Sequence, residues 1–69
     1  MAETIRHEAV IKRLKRAQGH LKSVIEMMEA GRPCMEVAQQ LHAVVGALEN
    51  AKVEFMESHI NTCFEEAIH

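Results

Sequence analysis

Cys34, Val37, Leu41, Val44, Leu48, Ala51 and Phe55 follow one another at steps of three and four without a break. That rhythm is one face of an α-helix, and it leaves half of the chain little else to become. A second apolar row, Ala38, Val45 and Ile60, runs beside it. The spacing predicts a helix from Pro33 to about Ala67, with Pro33 in the first turn, where a missing N–H costs nothing. Upstream, Val10, Leu14, Ala17, Leu21, Val24 and Met28 keep the same rhythm and predict a helix from Thr4 to Ala30. Thr4 suits its N-cap, and Gly31 suits the stop just past its end. Gly19, inside that helix, costs about 1 kcal/mol against alanine and points to close packing or a bend. Gly31-Arg32-Pro33 is the one strong break. The chain therefore reads as an all-α protein, an antiparallel helical hairpin forming one domain over residues 1–69.

One shorter helix cannot cover an apolar band as wide as that of the second. Exposed patches of this size mark an interface, and a chain of 69 residues has too little interior to be comfortable alone. Self-association into a four-helix-bundle dimer, and further into a dimer of dimers, is the expected solution. The opening MAETIRHEAV is too charged for a secretory or membrane segment. With only two cysteines beside it, the expectation is a soluble, cytoplasmic protein that has no membrane partner. Catalysis is not expected. His59 and Cys63 have no orienting third group, and so small a domain has no room for a pocket.

His59 and Cys63 are four residues apart and share a helical face, so both can reach one metal ion. Cys34 is the other thiol, but along one helix it lies roughly 37 Å from His59. An antiparallel second copy removes that distance. If Cys34 of one chain meets His59 and Cys63 of the other, the two-fold crossing falls near residue 47. Ala43, Gly46, Ala47 and Asn50 are small there, as a close crossing requires. Two thiolates and one imidazole are soft ligands that suit Cu(I), or Zn(II) if a fourth ligand or water joins. Glu3 and His7 offer extra ligands for Ni(II) or Co(II). His20, His42 and His69 read as structural or surface residues.

The net charge is −2, which gives no general attraction to nucleic acid, but the charge is unevenly placed. Arg6, Lys12, Arg13, Lys15, Arg16 and Lys22 are six of the eight basic residues, and they fall in the first 22 positions. A basic end of this kind meets something anionic or is a solvated helix face.

RLKRAQGHLKSVIEMMEAG, then Cys34, then QQLHAVVGALENAK and ESHINTCF resemble the CsoR/RcnR group of bacterial metal-sensing repressors, from about Ile11 to Phe64. The resemblance implies an all-α antiparallel dimer that doubles into a disc-like tetramer, binds operator DNA without metal and releases it on binding metal. It carries the ligand roles of the copper-sensing branch to Cys34, His59 and Cys63. Nickel and cobalt sensors tend to have histidine at the last position, and persulfide sensors have cysteine where His59 stands. It also carries DNA contact to Arg13, with Lys12, Lys15 and Arg16 as neighbours. The function implied is a Cu(I)-responsive repressor. Its alternatives are a metal-buffering module without DNA binding and a nickel, cobalt or thiol-persulfide sensor of the same group. Three departures bear on the relay from metal to DNA. The sequence ends at His69, without the family's short third helix; Pro33 stands where copper sensors have tyrosine; and Asn50 stands at a basic position, with Lys52 close by.

Overall fold

The computed structural model describes residues 8–58 and Glu66. Among these there are two helices and no strand, α1 over Glu8–Glu29 and α2 over Cys34–Ser58. They pack against each other as a hairpin. The expected N-cap, Thr4, and the expected end of the second helix near Ala67 lie outside the described residues.

The turn is built as the sequence requires. Gly31 has φ 72°, the left-handed conformation that glycine adopts without steric cost. Around it the N–H of Arg32 donates to the Met27 carbonyl (3.0 Å) and the N–H of Gly31 to the Met28 carbonyl (3.1 Å). These are the paired bonds of a Schellman stop, and they satisfy carbonyls that the end of α1 would leave open. Pro33 sits one position earlier than expected, just ahead of α2. Its carbonyl accepts from the N–H groups of Glu36 (3.0 Å) and Val37 (3.2 Å), opening the helix. Arg32 Nη2 then donates to Glu36 Oε1 across the junction, 2.7 Å away.

The core is a single narrow seam. Val10, Ala17 and Val24 of α1 and Val37, Val44 and Ala51 of α2 are buried, each set repeating every seven residues. A seven-residue repeat keeps one line of side chains facing a neighbouring helix, and valine and alanine let the helices approach closely. The other half of each apolar stripe remains open. Leu14, Leu21 and Met28 keep 42%, 39% and 61% of their surface exposed, and Leu41, Leu48 and Phe55 keep 42%, 43% and 36%. The hairpin thus leaves wet the part of the band that one shorter helix was expected to miss. Gly19 has another meaning than expected. α1 runs through it unbroken, and a Cβ there would have nothing within 4 Å. Close packing within the chain is not its reason.

Candidate metal and nucleic-acid surfaces

The seam divides the hairpin into two flanks of different chemistry. On one, Ile11, Leu14, Leu21 and Leu48 line a groove over Ala17 and Val44. Beside it Leu14, Leu48, Lys52 and Phe55 line a second. At the turn end Met28, Arg32, Cys34, Ala38 and Leu41 line a third. These lie along one side because they sit three or four residues from the seam positions. The opposite flank is polar. Arg13 Nε forms an ion pair with Glu54 Oε1 across the two helices. His20 Nε2 donates to Gln40 Oε1 at 2.7 Å. Between them Arg13, Arg16 and His20 surround a small cleft floored by Ala17 and Ala47.

Cys34 is exposed, its thiol free, at the first residue of α2 on the apolar flank. The nearest carboxylate along the helix, Glu36, is held by Arg32. Among the described residues no three His, Cys, Asp or Glu side chains are grouped to hold a metal. His59 and Cys63 lie outside the described residues, as do Glu3 and His7. Even so, α2 fixes one distance. Ser58, which precedes His59, is the last residue of the helix that Cys34 begins. The two ends of 25 helical residues are roughly 36 Å apart.

The small residues at the expected crossing level do not line the grooves of the apolar flank. Ala47 lies on the polar flank, against Arg13, Arg16 and His20. A Cβ at Gly46 would have nothing within 4 Å, and Ala43 and Asn50 are exposed. At that level the apolar flank presents Val45 and Leu48 instead. The arithmetic gives the level of the crossing, and the helical rotation of 100° per residue puts the small side chains elsewhere. The same rotation separates Lys52 from Asn50. Lys52 lines the apolar groove beside Phe55, so it does not stand in for a basic residue at position 50.

The four basic residues singled out in the sequence do not form one patch. Arg13 and Arg16 share the polar cleft. Lys15 lies on the rim of the apolar groove with Ile11 and Leu14, and Lys12 is exposed. On the polar flank Glu54 goes unread in the sequence, and His20 reads only as a structural or surface residue. His20 stands seven residues from Arg13 and four from Arg16, a helical spacing that could have revealed it. Glu54 comes from the other helix, and its pairing depends on how the helices pack.

Residues 6–69 match the metal-sensitive transcriptional repressor family. The copper-sensing transcriptional repressor CsoR of Mycobacterium ulcerans (strain Agy99) is 40% identical over 65 residues, covering 94% of this chain and 56% of that protein. Its counterpart in Mycobacterium tuberculosis (strain ATCC 25618 / H37Rv) is 35% identical, over 94% of this chain and 55% of that one. The CsoR of Bacillus subtilis (strain 168) is 31% identical over 88% of this chain and 60% of its own length. The chain therefore spans little more than half the length of these curated relatives. No solved structure matches. With the match running through both helices, the chain belongs to the metal-sensitive transcriptional repressor family.

Proposed function

We propose that this chain is a copper-responsive repressor that binds duplex DNA in its metal-free form and releases it on binding Cu(I). The observation that carries the reading is the place of Cys34, a free thiol on the apolar flank at the opposite end of α2 from the residue preceding His59. Two chains would lay their apolar flanks together antiparallel, burying the leucines that one hairpin leaves wet. Cys34 of one chain would then join His59 and Cys63 of the other, twice per dimer. Dimers pairing again into tetramers keep to the same reading. Bound Cu(I) supplies a soft centre for two thiolates and one imidazole. The copper assignment also rests on the relatives, each named a copper-sensing repressor. Zn(II), Ni(II) and Co(II) are the competing metals.

DNA contact falls to the basic half of α1. Lys12, Arg13, Lys15 and Arg16 lie toward its N-terminal end, while its last turn holds Glu26 and Glu29 and no basic residue. Glu8 puts an acidic group in the first turn, as the helix dipole favours, and the basic residues follow in the second and third turns, beyond its reach. The dipole therefore leaves their placing open, and the role proposed for them is contact with phosphates. Among the described residues no helix is long and apolar enough to cross a membrane.

Mixing chains tests the shared site. Cys34→Ala and Cys63→Ala proteins would each be titrated anaerobically with Cu(I) against a competing chelator, with duplex DNA present. Neither alone should bind tightly. Unfolded and refolded together, half of the dimers combine one chain of each kind, and each of those regains one of its two sites. About a quarter of the wild-type capacity should therefore return. No recovery would sink the shared site. Tight copper binding by the wild type with no DNA affinity at any metal load would identify a buffering module instead.

A further inference from the structure

We infer that the cleft between Arg13, Arg16 and His20 seats a backbone phosphate of duplex DNA, and that Glu54 occupies Arg13 in its place when DNA is absent. The inference rests on the proposed DNA contact of α1 and adds the position of the phosphate and an internal competitor for it. Residues 13, 16 and 20 project along one face of α1 at helical spacing. The floor beneath them is Ala17 and Ala47, small enough to leave the space above open. His20 is held in place through Nε2 by Gln40. Two guanidinium groups beside an open space suit a phosphate, which accepts paired N–H donors from arginine better than from lysine.

Glu54 reaches into this arrangement from α2. Its Oε1 meets Arg13 Nε. The same oxygen is shielded from solvent, so the cation it meets there is Arg13. The pair is partly exposed, with 51% of the Arg13 side chain and 33% of the Glu54 side chain accessible. Because both side chains stay partly accessible, a phosphate arriving over the cleft can compete for Arg13. DNA binding at this cleft therefore includes the exchange of one carboxylate for one phosphate on Arg13. Glu54 sets DNA affinity without touching DNA, as a positioning residue.

A double-mutant cycle on the full chain tests this. Affinity for a mixed-sequence duplex of about 30 base pairs would be measured across a salt series for wild type, Glu54→Gln, Arg13→Ala and the double variant. Glu49→Gln serves as a control for lost negative charge, and circular dichroism checks that each variant folds. Arg13→Ala should weaken binding and reduce the salt slope by about 1. Glu54→Gln should tighten binding about 2- to 5-fold, the range set by an exposed ion pair, and should have no effect once Arg13 is gone. Glu54→Ala repeats the test with the carboxylate removed altogether. Equal tightening in both backgrounds would mean a general charge effect and overturn the inference while leaving the DNA reading intact. Weaker binding by Glu54→Gln would mean that the carboxylate holds Arg13 ready for DNA, and would overturn it too. An unchanged affinity and salt slope in Arg13→Ala would remove the DNA contact beneath both.

Discussion

Leu48→Ala tests whether the apolar flank is where two chains meet. Leu48 lies at the level of the expected two-fold, midway between Cys34 and the His59–Cys63 pair, and 43% of its surface is exposed in the single hairpin. Full burial of a leucine contributes about 1.5–3 kcal/mol. The exposed share thus leaves about 0.6–1.3 kcal/mol to be gained from a partner. An isologous interface uses each residue twice, so truncation should cost about 1.2–2.6 kcal/mol per dimer. The retained methyl group lowers that figure, and the cavity left behind raises it. At about 1.4 kcal/mol per decade, the dimer Kd should rise roughly 7- to 70-fold. Sedimentation equilibrium over a concentration series measures the constant, and far-ultraviolet circular dichroism follows helicity as dimers dissociate. Gln40→Ala, on the polar flank, serves as the comparison. If Leu48→Ala changes the constant less than twofold while Gln40→Ala promotes dissociation, the partner covers the other flank, and the proposed metal geometry goes with it.

Alanine at two glycines should act in opposite directions. Gly31→Ala, at φ 72°, should lose about 1–2 kcal/mol, whereas Gly19→Ala, mid-helix with open space around it, should gain about 0.5–1 kcal/mol. Thermal melts at fixed protein concentration check both, and stabilisation by Gly31→Ala would contradict the described turn. Arg16→Ala should reduce the salt slope of DNA binding by about 1, while Lys15→Ala, on the rim of the apolar groove, should change dimerisation more than that slope. Equal slopes for the two variants would show that the basic residues act as one diffuse surface.

The helices were legible because each stripe repeats without interruption, and the stop at Gly31 because a left-handed residue is needed there and glycine fills it. Which residues of a stripe are buried was not legible. Val10 and Leu14 look equally apolar in the sequence, yet the seam takes Val10 and leaves Leu14 open. That choice is made by the rotation of two helices about each other, to which neither pattern refers. The candidate site divides the same way. Cys34, His59 and Cys63 could be singled out by ligand chemistry and spacing, and Arg13 by the family resemblance. For Ala47 the sequence gives the level along the helix, and only the packed hairpin gives the side. Glu54 was invisible for a related reason: it lies 41 positions from Arg13 along the chain, and only the packed hairpin brings them together.

The position of Glu54 also allows a test of how metal and DNA would communicate. α2 carries Cys34 at its first residue and Glu54 in its last turn and a half, on opposite flanks. Under the proposed function, a metal that fixes Cys34 against a partner chain biases the pose of α2 on α1. The buried seam between them is made of valines and alanines, with Met27 packed against it, and it is the surface along which such a change of pose would occur. A pose that brings Glu54 closer to Arg13 would disfavour DNA, and one that withdraws it would favour DNA. Metal can act only through such a difference between two states, and the coupling must be reciprocal. The factor by which Cu(I) weakens DNA binding must equal the factor by which DNA weakens Cu(I) binding. If the pair is part of the connection, Glu54→Gln should reduce both factors equally, and because DNA already breaks the pair the change should appear in the Cu(I) affinity of the DNA-free protein and not in that of the DNA complex. Copper titrations with and without duplex, and DNA titrations with and without copper, close that cycle. A coupling factor identical to wild type would place the connection elsewhere on the hairpin and leave Glu54 to set only the baseline affinity for DNA.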